Sequence, residues 1–207
     1  MRCKSCGKTV NRRIAEMCVD CYIDNVHPTE VRDTPWVGAF SSFKGIKKPV
    51  RENKFDDKLA SAITSMSAKI SEDKTAIILE VDEKRILIPL TVEKLDELAQ
   101  KSGILVGKWL IYRNDSEIDD VWKTIARATS NGELGRSAKV STAMQNKRRY
   151  TICAYTENYL NLDDVIKVRE KLRLLGFTDE LCYKPDIYTY LGIYYRTTRI
   201  SPCRYRK

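Results

Sequence analysis

A single histidine, His27, serves a chain of 207 residues. That scarcity removes most designs in which a side chain takes and returns a proton near neutral pH, because histidine is the usual choice for the task. His27 also stands beside Pro28, a setting that suits a surface residue. No Ser-His-Asp or Cys-His set can be assembled from the rest of the sequence, and no carboxylate pair stands at a useful spacing. Long apolar runs are missing too. Nothing approaches the roughly 20 residues that a membrane-spanning helix needs, so no membrane partner is expected. Neither a repeat nor a low-complexity tract is present, which argues against a solenoid or a disordered array.

Seven cysteines stand against these absences, and their spacing is specific. Cys3-Lys4-Ser5-Cys6-Gly7 is followed, with eleven residues between Cys6 and Cys18, by Cys18-Val19-Asp20-Cys21. Two Cys-x-x-Cys pairs offer the four thiolates of a closed tetrahedral zinc site, and a site without an open position is structural rather than catalytic. Gly7 suits the positive φ of a tight turn behind the first pair. Two disulfides are the alternative use of these residues. Cys153, Cys182 and Cys203 lie far apart and read as buried or free thiols in a reducing compartment. A metal ligand at position 3 leaves no room for a cleavable signal segment, so an intracellular, cytoplasmic protein is expected.

The net charge is +9, with a sequence pI near 9.2. Residues 1–54 carry +5, residues 55–102 carry −3 and residues 103–207 carry +7. Basic groups crowd into Lys147-Arg148-Arg149 and into the tail from Arg196 to Lys207, where five meet no acid. Such a distribution points to an anionic partner, nucleic acid above all. A solvated basic face is the plainer explanation. Ten of the eleven tyrosines follow residue 103. Interleaved with Lys184, Arg196 and Arg199, they could stack bases while the cations hold phosphates, or simply pave a half-buried sheet.

Three segments emerge. Residues 1–26 form the four-cysteine zinc ribbon. Residues 27–54, with Pro28, Pro35 and Pro49, read as a linker with one possible strand around Trp36. Residues 55–207 form an α+β domain. Within it Leu59, Ile63, Met66 and Ile70 recur at helical spacing, and 75–81 with 85–90 read as a hairpin. Thr91 caps a helix that stops at Gly103, and Ser116 with Asp119 reads as a capping box. Strands are expected over 104–112, 137–142 and 150–156. Asn161 caps a helix carrying Val165, Val168, Leu172 and Leu175, with Gly176 behind it. Short strands near 181–183 and 191–195 finish the domain. Antiparallel strands interleaved with helices on one curved sheet make the class α+β.

Several blocks carry a resemblance: Gly107-Lys108-Trp109-Leu110-Ile111, Asp120-Val121-Trp122, the run from Gly132 to Ser141, the run from Tyr150 to Thr156, and Tyr183-Lys184-Pro185-Asp186-Ile187-Tyr188-Thr189. Together they resemble the basophilic leukaemia expressed protein family, which has the fold of the mRNA cap-binding translation initiation factor. The resemblance covers about half of the chain and leaves the four-cysteine segment outside it. It implies a curved antiparallel sheet backed by helices, with a ligand slot on the concave side. In the cap-binding factor, two tryptophans sandwich a methylated guanine and basic residues hold the phosphates. The corresponding basic loop runs from Lys139 to Arg149, and Tyr155 stands about where the factor carries a tryptophan near the base. Trp109 and Trp122 match core positions, which leaves Trp36, with Tyr188, for stacking.

The combined expectation is a zinc-stabilised, non-catalytic RNA-binding protein of translation or RNA processing. Arg136, Lys139, Lys147, Arg148, Arg149, Tyr155, Lys184, Arg196 and Arg199 would form its ligand face. The ribbon offers a contact for a protein partner, and exposed apolar residues there (Val10, Ile14, Val19, Tyr22) would favour an adaptor. A deep slot ringed by Lys139, Arg149, Tyr155 and Lys184 would instead favour an enzyme or binder for a small phosphorylated or nucleotide ligand. Gly132-x-x-Gly135 with Lys139 and Ser141 offers a further candidate anion site. Phosphothreonine-lyase chemistry, with which relatives have been compared, is disfavoured because the core has no histidine.

Overall fold

The computed structural model describes residues 2–9, 13–14, 17–40, 54–145 and 149–207. Its elements run β1 (Arg13–Ile14), β2 (Met17–Cys18), α1 (Val19–Asn25), β3 (Trp36–Phe40), α2 (Lys54–Thr64), β4 (Lys69–Ile70), β5 (Ala76–Val81), β6 (Lys84–Pro89) and α3 (Val92–Ser102). There follow β7 (Gly107–Arg113), α4 (Asp115–Ser130), β8 (Ser137–Ser141), β9 (Tyr150–Thr156), α5 (Leu162–Leu174), β10 (Cys182–Pro185), α6 (Asp186–Tyr190) and β11 (Tyr205–Arg206). Six strands are hydrogen-bonded in the order β11-β10-β7-β9-β8-β3, with β3–β8, β8–β9 and β10–β11 antiparallel. The class is α+β, an antiparallel sheet backed by helices, as the sequence indicates.

Two compact units divide the chain. The first comprises residues 1–44, 110–155 and 168–178. Its strands bury one face: Val37, Ala39, Val140, Ile152 and Ala154 all point inward. Alternation of this kind follows from the period of two in a strand. α4 covers that face with Ile118, Trp122 and Ile125, each at most 1% exposed. α1 is fastened to α4 by an Asp24–Arg127 ion pair. Asp119 of α4 accepts from the Thr29 amide and hydroxyl at 3.2 and 2.6 Å. That use of Asp119 replaces the expected capping box. The side chain of Asn114 caps α4 instead, accepting from the Ser116 amide at 3.1 Å.

The second unit comprises residues 45–109, 156–167 and 179–207. Here the 75–90 hairpin forms, but as β5–β6 of a separate three-stranded sheet with β4 rather than as part of the main sheet. α3 begins and ends as its sequence dictates, with Thr91 accepting from the Lys94 amide at 3.3 Å and Gly103 at φ 67°. Asn161 likewise accepts from the amides of Asp163 and Asp164 at the start of α5. The expected strand at 191–195 does not form. The chain leaves β10 through Pro185, turns into α6 and continues in turns. Cys182 and Cys203 are not free thiols but a disulfide. Pairing of β10 with β11 sets Cys182 opposite Arg206, which draws the chain just ahead of β11 within reach.

A tyrosine network fills this unit. Trp109 and Tyr183 meet edge to face, with ring centres 5.0 Å apart and planes at 72°, a favoured aromatic geometry. Tyr159 donates to Asp96 at 2.9 Å, and Arg204 donates to the same carboxylate at 2.7 Å. Burial pushes the Tyr188 hydroxyl up to about 12, with Arg204 pulling the other way. Burial also raises Tyr159, helped by Asp96, and it raises Tyr183. An unfolded tyrosine ionises near about 10. The stability these groups contribute is therefore complete below pH ~10 and is lost as pH climbs toward 12. A spectrophotometric titration should show some of the eleven tyrosines ionising only together with unfolding. If all ionise near pH 10 in the folded protein, the network is not as described.

Candidate functional site

The cysteine cluster is built by two local devices. In the first, the Cys3 amide donates to Lys8 O and the Gly7 amide to Cys3 O, at 3.0 and 2.9 Å. Gly7 takes φ 72°, the left-handed region the sequence reading assigned to it. In the second, α1 presents Cys21 from its first turn. The sulfurs of Cys3, Cys6 and Cys21 lie within 4.8 Å of one another. Tetrahedral zinc with ~2.3 Å bonds to sulfur would set them about 3.8 Å apart, so three cysteines close together fit a metal ion. Cys18 ends β2, immediately before α1, and its side chain lies outside the described residues. Val19 and Tyr22 do not form an outward apolar patch. They are half-buried and line a small pocket with Ile23, Phe40 and Trp122. Val10 and the Ile14 side chain fall outside the described residues.

The expected ligand face is divided between the two units. In the first, β3, β8 and β9 set Gly38, Lys139 and Cys153 in one row. Trp36 is two residues before Gly38 and Tyr155 two after Cys153, so both share the face of Lys139. The Lys139 ammonium lies 4.3 Å from the Trp36 ring centre and 5.7 Å from that of Tyr155. Both rings and the lysine are half-buried. The Arg149 guanidinium stands 4.9 Å from the Tyr112 ring centre, and Arg136, half-buried, precedes β8. Lys147 and Arg148 fall outside the described residues. Each such cation–aromatic contact is worth about 0.5–2 kcal/mol, rising with desolvation. Trp109 and Trp122 are fully buried, as their expected core role requires.

The second unit holds the other candidates. Lys184 is only 5% exposed, and its ammonium lies 3.6 Å from the Tyr194 ring centre. Lys108, equally buried, is paired with Asp186 and donates to Thr189 at 3.1 Å. Arg196 and Arg199 are exposed. Tyr188, expected to stack on a ligand, is instead 1% exposed in the core, because α6 turns it inward. Sequence reasoning missed Tyr112 as a partner of Arg149, although alternation along β7 gives a signal for it. Tyr194, which stands over Lys184, is one of the late tyrosines that the sequence interleaves with Lys184, Arg196 and Arg199.

The Gly132–Gly135 turn has a structural purpose. A Cβ on Gly135 would collide with the Tyr155 carbonyl oxygen. Ser141 is also committed, since its hydroxyl accepts from the Thr151 amide at 2.9 Å. These close approaches place Tyr155 and leave Arg136 and Lys139 as the cations of the region.

Residues 13–192 match the sequence model of the basophilic leukemia-expressed protein Bles03 family. The chain belongs to that family, and the match takes in Cys18 and Cys21, so it reaches beyond the half of the chain expected and leaves only the Cys3–Cys6 pair of the four-cysteine segment outside. Among solved structures it is similar to a schistosome eIF4E complexed with m7GpppA and 4E-BP, at 13% identity and a TM-score of 0.40, covering 64% of this chain and 69% of that one. It is also similar to Ascaris suum eIF4E-3 with m7G cap, at 14% identity and a TM-score of 0.37, covering 84% and 95%. Among the described residues no helix is long and apolar enough to cross a membrane.

Replacing Gly135 by Ala should cost about 1–3 kcal/mol through forced displacement of backbone. That amounts to a fall of roughly 2–12 °C in Tm for a chain of this length. An unchanged melting curve by differential scanning calorimetry would show that the turn does not support Tyr155.

Proposed function

We propose that the protein is a non-catalytic, zinc-stabilised RNA-binding protein acting with the translation or RNA-processing machinery. The observation that carries this reading is the placement of Lys139 against Trp36 and Tyr155, with Arg149 against Tyr112, on an otherwise positively charged chain. Aromatic faces stack unpaired bases and nearby cations take phosphates, so the two residue types together suit a single strand. Arg136, Lys147 and Arg148 would extend the same basic surface, while Lys184, Arg196 and Arg199 would serve the second unit. Zinc is the metal of choice for four thiolates, with Cys18 completing the set of Cys3, Cys6 and Cys21. Thiolates bind metal only while reduced, which favours a cytoplasmic setting, whereas the Cys182–Cys203 disulfide argues for an oxidising one.

The test is binding to single-stranded and structured RNA, followed by fluorescence anisotropy across salt. If Arg136, Lys139 and Arg149 each neutralise one phosphate, the logarithmic slope for a single strand is about −2, and affinity falls roughly twentyfold between 50 and 200 mM salt. Arg149→Ala should lower the slope by about 0.7. Absence of salt-sensitive binding to any structured RNA or ribosomal particle would remove this reading. A small-ligand binder would then take its place, a reading favoured by the burial of Lys184 beneath Tyr194.

Zinc is tested separately. Elemental analysis of the purified chain should return about one zinc per molecule, and strong chelation or Cys21→Ser should remove it with a loss of thermal stability. A metal-free chain with the same Tm would remove the metal.

A further inference from the structure

The Lys139 cation faces two aromatic rings at once, Trp36 and Tyr155. Its surroundings favour that position. Gly38, directly opposite it on β3, contributes no side chain, and Cys153, opposite on β9, is only 2% exposed. The ammonium therefore leans over the ring faces instead of standing out into water. A positively charged group lying against those rings reports their electron-rich faces, which attract a cation. It also means that they are covered. A base cannot stack on a ring face while the ammonium occupies it, and the ammonium cannot reach a phosphate while it stays over the rings.

We propose that Lys139 gates a base-stacking slot: its ammonium covers Trp36 and Tyr155 until an unstacked nucleobase displaces it, and it then moves onto that nucleotide's phosphate. Lysine suits such a swing, as a compact charge on a flexible four-carbon stem. The exchange explains how two attractions of similar size can be traded rather than lost. The cation gives up its contact with the rings and gains a charge-assisted bond to phosphate, while the rings exchange a cation for a base, an interaction worth about 1–3 kcal/mol by alanine substitution. Ligand recognition then requires both parts in one molecule, a base and an attached phosphate. A bare nucleoside must displace the ammonium without compensating it, and a bare phosphate gains nothing from the rings. The choice of a nucleotide as ligand rests on the RNA reading above; the gate itself rests on the geometry of Lys139.

The test uses the full chain and the emission of Trp36, since Trp109 and Trp122 are 0% and 1% exposed. Adenosine, adenosine monophosphate and a short single-stranded oligoadenylate are titrated into the wild type, Lys139→Met and Lys139→Arg. The wild type should favour the monophosphate over adenosine. In Lys139→Met the slot is uncovered and the phosphate partner is gone. Adenosine should therefore bind about fivefold tighter or more, and the monophosphate should lose its advantage. Lys139→Arg keeps both the cover and the charge, so it should reproduce the wild-type order. Adenosine binding that is unchanged or weaker in Lys139→Met overturns the gate, as does oligoadenylate binding that leaves Trp36 emission unaltered. If RNA fails to bind in a salt-sensitive manner but the monophosphate still shifts Trp36 emission, the gate stands and its ligand is a free nucleotide. In that case the RNA reading alone falls.

Discussion

Pairing of β3 with β8 is the constraint on which the first unit depends. Five rungs join them, from Trp36 opposite Ser141 to Phe40 opposite Ser137. The zipper continues beyond the strands, with the amides of Thr142, Ala143 and Met144 donating to the carbonyls of Pro35, Pro28 and Val31. Side chains alternate along a strand, so a slip by one residue would bring Trp36 to the core face and turn Val37 and Ala39 out to water. Val37 and Ala39, at 7% and 4% exposure, hold the register by their burial. That same register sets Trp36 beside Lys139. It also delivers α1 to α4, where Asp24 meets Arg127 and Thr29 meets Asp119, and so fixes the support from which Cys21 reaches Cys3 and Cys6. An edge strand thus positions both candidate sites of this unit.

What could be read from the sequence was what is decided locally. Caps at Thr91 and Asn161, the stop at Gly103 and the turn at Gly7 each follow from one or two side chains and their own backbone. The cysteine pairs were legible for the same reason, since ligand spacing within a tight turn is a local matter. The unread features are set by partners distant in sequence. Trp36 and Lys139 are separated by the whole of the second unit's first segment, and nothing in either neighbourhood announces the other. The stretch 191–195 reads as strand because aromatic and β-branched residues favour pleated surfaces. Leu191 and Ile193 are indeed buried and Tyr194 and Tyr195 exposed, but the chain leaves α6 there and continues in turns, without a neighbouring strand to pair with among the described residues. Cys182 and Cys203 become partners only through the β10–β11 ladder, and a ladder of two rungs is too short to leave a periodic signature.

Clustered positive charge needs an account in any folded chain, because like charges held near one another destabilise the compact state. This protein answers with aromatic rings rather than with carboxylates alone. Arg113 lies over Phe177, Lys139 over Trp36 and Arg149 over Tyr112 in the first unit, and Lys184 lies over Tyr194 in the second. A carboxylate would neutralise the charge and so spoil it for an anionic partner. A ring attracts the cation without cancelling it, and the net positive potential survives at the surface. For a cation that would meet phosphate from where it stands, such as Arg149 over Tyr112, the ring also narrows the rotamers open to the long side chain before any ligand arrives, which lowers an ordering cost of roughly 0.5–1.5 kcal/mol for each mobile side chain; Lys139 instead has to leave its rings. Placing cations on aromatic faces therefore stabilises the fold and keeps the basic face prepared for a polyanion, two demands that ordinary salt bridges set against each other.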